Sequence, residues 1–377
     1  MKARNRLFVL CALGAGLAVC CDSDSPTAPP EDQLRDDSAL GVELAASNPN
    51  AIVAVGSTLI VSEVSEFGDR IGGLEVLELS ADGNSISSRG LVIGETALGG
   101  DVNSIAMADE DRGYVIISDE NFANYVVPFD LATGDVGQRL EGLSTGFMQS
   151  LAVDGDRLIV ADPGVFAQPQ GAGLVIFDAG TQEHVAGPIS TGLPPVSIAI
   201  LGESGIFVAT SDFTTGSTAF LAPDADAADT DLLTIHADAV VRFFDGKVYI
   251  INRLNADNIL VLDASNLTAP LIQFSVGNGS NPQDIEVISA DKAYVTRLAR
   301  AELVVVDPRN GAELGTIDLG GFADADGLPE MTQMARIGSR IYVLVQRLDT
   351  NDPLFAPTGT SYIVVIDTDT DTIVDMD

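Results

Sequence analysis

The chain is poor in the residues that build most metal, redox and nucleic-acid sites. Its three cysteines, Cys11, Cys20 and Cys21, all fall in the first 21 residues, so no disulfide framework or cysteine metal cluster belongs to the body of the protein. Histidine occurs only as His184 and His236, and tryptophan is absent. Basic residues number 19 against 55 acidic ones in 377 residues, a net charge of −36. Binding to nucleic acid needs basic surface that displaces counterions, and 3 Lys with 16 Arg spread thinly do not supply it. What the chain does have is apolar content: 46% hydrophobic residues and a positive mean hydropathy, enough for a large core and incompatible with general disorder.

Lys2, Arg4 and Arg6 precede an apolar run from Leu7 to Val19 that stops at Cys20-Cys21-Asp22. This is the n-region and h-region of an export signal, too short for a membrane span. Leu17-Ala18-Val19-Cys20 resembles a bacterial lipobox, which makes Cys20 the expected lipidation site and Cys21 the alternative. Residues 1–20 then form a lipoprotein-type signal, whose loss through residue 19 moves the net charge from −36 to −39. Residues 21–38, acidic and rich in Pro and Ser, read as a disordered tether holding the domain off the bilayer.

Residues 39–377 repeat one plan seven times. The second strand of each unit is LIVSEV (59–64), YVIISD (114–119), LIVADP (158–163), IFVATSD (206–212), VYIINR (248–253), AYVTRL (293–298) and IYVLVQR (341–347). The third strand ends in Asp130, Asp178, Asp224, Asp263, Asp307 and Asp367, at steps of 48, 46, 39, 44 and 60 residues. Nothing between the strands has helical apolar spacing, which excludes a parallel βαβ sheet. The pattern predicts an all-β fold, a β-propeller of seven blades with four antiparallel strands each. The terminal Asp residues are expected to cap the turns into the fourth strands, as in Asp130 to Gly134 and Asp307 to Gly311. Gly41 to Ala46 reads as a strand that closes the ring on the last blade, either replacing or flanking Thr372 to Met376.

Ala293-Tyr294-Val295-Thr296, Ile341-Tyr342-Val343 and Ile363-Val364-Val365-Ile366-Asp367-Thr368 resemble the YVTN-type β-propeller repeat of bacterial and archaeal surface proteins. The resemblance is strong in blades five to seven and weak in blade four, where Ala222-Pro223-Asp224 and the acidic run after it disturb the pattern. It implies a seven-bladed propeller on an exported binding or surface protein and no particular chemistry.

In such blades the loop after the second strand and the loop joining consecutive blades open on one face, the expected ligand face. The second strands end in Glu63, Asp119, Asp162 and Asp212 in blades one to four and in Arg253, Arg297 and Arg347 in blades five to seven, an acidic arc facing a basic arc. Just beyond lie Phe67, Phe122, Phe166 and Phe213, then Leu254, Leu298 and Leu348, with Phe355 further along the longest loop. Charged groups interleaved with aromatic rings suit a protein, peptide or glycan partner. The alternative is that these charges form salt bridges between blades and the rings pack among them. Asn103, Gln149, Asp238, Gln283 and Thr332, at the starts of first strands, are the expected polar lining of the channel mouth.

Acidic clusters at Asp224, Asp226, Asp229 and Asp231 or at Asp324 and Asp326 are candidate Ca²⁺ ligands, the only cofactor the sequence suggests, although neither is an EF-hand loop. His236 with Asp238 is the only candidate acid–base pair. The expectation is a non-enzymatic, lipid-anchored binding or scaffold module of the bacterial cell envelope, periplasmic or on the cell surface. The alternative is a calcium-dependent propeller enzyme, a lyase or hydrolase.

Overall fold

The computed structural model describes residues 38–45, 48–64, 72–165, 171–350, 352 and 355–376. The expected signal, the tether up to residue 37, both lipidation candidates Cys20 and Cys21, and the ring candidates Phe67 and Phe166 lie outside the described residues.

A short strand, β1 (Val42–Glu43), precedes seven antiparallel sheets. Blade 1 is β2 (Pro49–Val55), β3 (Thr58–Glu63), β4 (Leu74–Leu79) and β5 (Ile86–Ile93). Blade 2 is β6 (Asp101–Met107), β7 (Arg112–Ser118), β8 (Asn124–Asp130) and β9 (Asp135–Val136). Blade 3 is β10 (Leu151–Asp154), β11 (Arg157–Asp162), β12 (Gly173–Asp178) and β13 (His184–Ile189). Blade 4 is β14 (Pro195–Ile200), β15 (Ile206–Ser211) and β16 (Gly216–Leu221). Blade 5 is β17 (Ala239–Phe244), β18 (Lys247–Asn252), β19 (Asn258–Asp263) and β20 (Asn266–Ser275). Blade 6 is β21 (Pro282–Ser289), β22 (Lys292–Arg297), β23 (Glu302–Asp307) and β24 (Ala312–Asp318). Blade 7 is β25 (Met331–Ile337), β26 (Arg340–Val345), β27 (Tyr362–Asp367) and β28 (Thr372–Val374). The protein is an all-β, seven-bladed propeller, as the repeat predicts.

The second and third strands read as unbroken apolar runs because each is covered on both faces. Leu59 and Val61 pack toward blade 7, Ile60 packs toward blade 2, and all three are fully buried. The same alternation gives one apolar cluster at each junction between neighbouring blades, including the junction of blade 7 with blade 1. First strands touch one another in sequence around the axis, and β2 touches β25, so the ring is closed.

Closure uses both candidate segments. β1 pairs with the start of β27 (Val42 with Ile363, Glu43 with Tyr362), and β28 pairs with its end (Val365 with Val374, Asp367 with Thr372). The N-terminal strand therefore flanks the C-terminal one on a single edge.

The turn aspartates behave as capping residues. Asp130 Oδ1 accepts the N–H groups of Ala132 and Thr133, both at 2.9 Å, and Asp178 Oδ1 accepts those of Gly180 (2.9 Å) and Thr181 (2.6 Å). At Asp307 the Arg309 side chain, followed by its N–H, draws the carboxyl down to about 2. Asp224 departs from the repeat. β16 ends at Leu221, Pro223 cannot donate to a ladder, and the chain returns irregularly, bridging Phe220 to Asp229 and Gly216 to Ile235 in place of a regular fourth strand.

In blades 2 and 6 the tyrosine of the YV motif ties its blade to the turn of the next. Tyr114 Oη donates to the Ala179 carbonyl at 2.7 Å, and Tyr294 Oη bonds to Asp371 in the blade 7 turn, which also pairs with Lys292 Nζ at 2.7 Å. Tyr342, in the cluster between blades 7 and 1, has its hydroxyl buried without a hydrogen-bond partner. Removing a satisfied buried hydroxyl costs about 1–2 kcal/mol, whereas removing an unsatisfied one costs nothing or stabilises. Urea denaturation should therefore show Tyr294→Phe lowering stability by about 1–2 kcal/mol and Tyr342→Phe leaving it unchanged or raised.

Candidate functional site

The face on which second strands end and first strands begin, called here the rim, is built differently from the opposite face. Seven described residues other than Gly, Asn and Asp have positive φ: Phe122 (61°), Gln182 (65°), Phe213 (65°), Leu254 (39°), Glu330 (47°), Arg347 (56°) and Phe355 (51°). All but Gln182 lie in rim loops. For bulky side chains this conformation is strained by about 1–3 kcal/mol per residue and persists only where neighbours enforce it.

Two of the predicted acids do the enforcing. Asp119 Oδ1 accepts the N–H groups of Asn121 (2.9 Å) and Ala123 (3.0 Å), while the Phe122 N–H donates to the Asp119 carbonyl (2.8 Å). Asp212 Oδ1 accepts those of Thr215 (2.6 Å) and Thr214 (2.8 Å), which hold its carboxyl below the usual carboxylate range. The Phe213 N–H donates to Ser211 Oγ at 2.9 Å. Acid and aromatic thus form one unit, a capped turn that presents a ring. Glu63 and Asp162 are instead buried, and Asp162 joins the connector between blades 2 and 3 by accepting the Ser144 N–H (2.7 Å), while its other oxygen accepts the Gly164 N–H (2.9 Å) of its own loop.

The three arginines do not form a continuous arc. Arg297 lies two residues after Val295, Arg253 three after Ile250 and Arg347 four after Val343, the residues that pair with Ile285, Val241 and Met334 at one register. The three arginines therefore do not occupy equivalent positions, and only Arg297 lies within its strand. Arg253 binds the Asp238 carboxylate through Nε (2.9 Å) and Nη2, and reaches Gln283 Oε1 (3.3 Å) through Nη1. Arg297 is buried against the carbonyls of Val276 (3.2 Å) and Glu302 (2.9 Å). Arg347 sits 5.8 Å from the Tyr362 ring, and its buried Nε has no hydrogen-bond partner. Phe122 and Phe355 are half-buried and Phe213 is exposed.

The channel-mouth candidates stand at or just before the starts of first strands. Asn103, Gln283 and Thr332 occupy β-bulges in β6, β21 and β25, and Gln149 and Asp238 stand just before β10 and β17. A register irregularity at the start of the first strand recurs in blades 1, 2, 4, 6 and 7.

Deeper in the channel lies a cluster absent from the sequence reading. The first-strand residue opposite the YV aromatic position is Ala54, Ala106, Val153, Ala199 or Ala335 in five blades, but Arg242 in blade 5 and Glu286 in blade 6. Arg242 Nε meets Asp284 Oδ1 at 2.7 Å, and Asp284 also accepts the N–H groups of Ile285 (2.9 Å) and Met334 (3.0 Å). Burial, and then the charge of Asp284, push the Glu286 carboxyl up to about 7 against the opposing pull of Arg242 and Arg336. Reading the first strands in register with the YV motif would have exposed this pair.

The calcium candidates are placed as follows. Asp224, Asp226, Asp229 and Asp231 are all exposed along the outer edge of blade 4. Asp324 and Asp326 anchor the long blade 7 loop: Thr358 Oγ1 donates to Asp324 Oδ2 (2.6 Å) and Thr350 Oγ1 to Asp326 Oδ2. Among the described residues no three His, Cys, Asp or Glu side chains form a set able to hold a metal ion. His184 lies edge-on to Phe177 (5.6 Å between ring centres) on the far side of the ring, and His236 Nδ1 accepts the Asp238 N–H (3.1 Å). A cleft of about 320 Å³ between blades 2 and 3, bounded by Arg112, Phe129, Asp130 and Gln182, opens away from the rim.

No protein-family model matches the chain, and no curated relative does. Solved propellers do. YCF48 bound to D1 peptide aligns with a TM-score of 0.53 and 10% identity over 90% of this chain and 99% of that one. The WD40 β-propeller domain of Doa1 gives 0.58 and 14% over 86% and 95%. A catalytically inactive virginiamycin B lyase from Staphylococcus aureus, with quinupristin, gives 0.58 and 9% over 81% and 95%. At these identities the likeness is one of fold.

Glu330 generates a pH prediction. It is 0% exposed, and burial, reinforced by Asp326 and Asp324, pushes its carboxyl up to about 9 despite the Leu348 N–H bonded to Oε2 at 2.9 Å. A carboxyl that holds its proton more tightly when folded loses stability as pH rises from its unfolded pKa of about 4.3 to its folded one, because the unfolded chain releases the proton first. Melting temperatures measured from pH 5 to pH 9 should fall more steeply for the native chain than for Glu330→Gln.

Proposed function

We propose that this protein is an exported, lipid-anchored propeller of the bacterial cell envelope that binds a protein or peptide on its rim and catalyses no reaction. The observation that carries the reading is the concentration of strained, bulky residues on one face: six side chains that a structural loop would replace with Gly or Asn are held in left-handed backbone there. A rigid ring of β-sheet with side chains fixed at its mouth is a binding platform with little ordering to lose on association.

The likeness to a propeller solved with a bound peptide agrees with this use of the fold. The likeness to a lyase keeps an enzyme in view. Against the enzyme stands the pairing of Asp238, whose carboxylate is taken by Arg253 and not by His236, so no His–carboxylate pair stands at the mouth. The lipid anchor rests on the signal-like run that ends at Cys20-Cys21.

Two experiments test the proposal. Photo-crosslinking residues introduced on the rim at Gln149, Thr214 and Asn255 should capture a partner in intact cells, and the same groups at Glu183 and Glu203 on the opposite face should not. Capture confined to the opposite face overturns the rim reading. Metabolic palmitate labelling should be abolished by Cys20→Ser and retained by Cys21→Ser; retention in both variants overturns the lipid anchor at Cys20.

A further inference from the structure

Midway along the channel, charge is gathered over blades 5 to 7. Opposite the tyrosine or phenylalanine of the second strand, the first strands of blades 2, 4 and 7 carry Ala106, Ala199 and Ala335, which bring no charge to the wall. At the same register blades 5 and 6 carry Arg242 and Glu286, and Arg336 follows Ala335 in blade 7. The Arg242 side chain is 38% exposed and that of its partner Asp284 2%, so this ion pair has one end sealed in the wall and the other open to the channel. Arg242 donates from Nε to Asp284 Oδ1 (2.7 Å) and from Nη1 to the Val241 carbonyl (3.5 Å), while Nη2 makes no hydrogen bond among the described residues. The half-buried Glu286 carboxyl makes neither a hydrogen bond nor an ion pair among them.

The charges at this level do not balance. Arg336 donates only to carbonyls, from Nε to Gly338 (2.9 Å) and from Nη1 to Val287 (3.4 Å) and Ile288 (3.5 Å), so no carboxylate neutralises it by contact. Asp284 is committed to Arg242 and to the N–H groups of Ile285 (2.9 Å) and Met334 (3.0 Å). Glu286 is the remaining source of negative charge, and burial, then the charge of Asp284, push its carboxyl up to about 7. The charged groups around it are Arg242 from β17, Asp284 from its own β21 and Arg336 from β25. Near neutral pH two guanidinium groups therefore stand against one carboxylate and one carboxyl that is in large part protonated. Uncompensated charge in a partly desolvated wall is costly, and an anion relieves it; a cation would add a third positive charge and require Glu286 to ionise. A protonated carboxyl donates its O–H, so together with Arg242 Nη2 it offers two donors to one acceptor group.

We propose that the channel beside Arg242 and Glu286 is a binding site for a small monocarboxylate, whose oxygens accept from Arg242 Nη2 and from the Glu286 O–H. Where Glu286 is ionised before the ligand arrives, binding takes up one proton. Glu286 lies four residues in from the rim end of β21, roughly 13 Å of strand. That depth is beyond the reach of an acidic side chain resting on the rim, so the ligand is a free molecule. The site stands apart from the rim and does not depend on what the rim binds.

The test is isothermal titration calorimetry on the purified full-length chain with propionate, propionamide and propylammonium, which share a size and differ in charge. At pH 6 propionate should bind with a dissociation constant below about 10 mM and at least about tenfold more tightly than the other two. Binding that needs the Glu286 proton weakens as pH rises through about 7, because the free site has then released it, and affinity should fall about tenfold from pH 6 to pH 8. Glu286→Gln, whose amide still donates, should hold the pH 6 affinity to within about threefold and lose the pH dependence. Arg242→Gln should weaken binding at least about tenfold at both pH values. No binding of propionate, equal affinity for the three probes, an unaltered pH dependence in Glu286→Gln, or unaltered affinity in a folded Arg242→Gln overturns the inference. If Arg242→Gln does not fold, the pH profile of Glu286→Gln decides by itself.

Discussion

The structure depends on the apolar layers between blades. No blade has a core of its own: a four-stranded sheet buries its side chains only against the sheets on either side, so each layer belongs to two blades. The consequence is that the ring has to close. The cluster that joins Tyr342, Leu344 and Ile363 of blade 7 to Ile52, Leu59 and Val61 of blade 1 brings together residues some 300 positions apart in sequence, and without it two sheet faces would meet water. The doubled edge on β27 and the Tyr294 clasp are reinforcements of that same circuit.

Because the layers fix the strands, variation is left to the loops, and the two faces have spent it differently. On the far face the third strand turns into the fourth through small capped turns in which Asp130, Asp178, Asp307 and Asp367 satisfy backbone N–H groups, and Gln182 is the only described residue there, other than Gly, Asn and Asp, with positive φ. On the rim, turns of similar construction at Asp119 and Asp212 hold phenylalanine in the left-handed region. One capping chemistry thus serves economy on one side and display on the other. The channel adds a third asymmetry, since its charge is gathered in blades 5 to 7, where Arg242, Asp284, Glu286 and Arg336 interact.

Much of this was legible in the sequence, for a definable reason. Strands covered on both faces must be continuously apolar, so LIV, YVII and YVLV runs at a steady spacing announced blades, and the Asp that ends each third strand announced the turns. Blade 4 was the weakest in the pattern and is the one whose fourth strand is irregular, with Pro223 breaking the ladder. The rim was legible in part. The charges and rings were found by position, but position at a strand end does not specify orientation, and a slip of one residue moves a side chain to the other face; Arg253, Arg297 and Arg347 differ by such slips. Left-handed backbone at Phe122, Phe213 and Phe355 has no sequence signature, because the residues usually found there are Gly and Asn. Glu286 escaped notice because its neighbours in register are alanines and valine from other blades.

The shared edge of β27 also has a mechanical meaning. A pull on the chain ahead of Ser38 reaches the ring through β1, whose hold on the edge is the pairing of Val42 and Glu43 and the bond from the Leu44 N–H to the Ser361 carbonyl at 3.0 Å. β28 grips the other half of the edge by separate pairs and carries none of that load directly. β1 can therefore act as a fuse: tension peels a two-residue strand from blade 7 while the propeller keeps its seventh blade and its continuity.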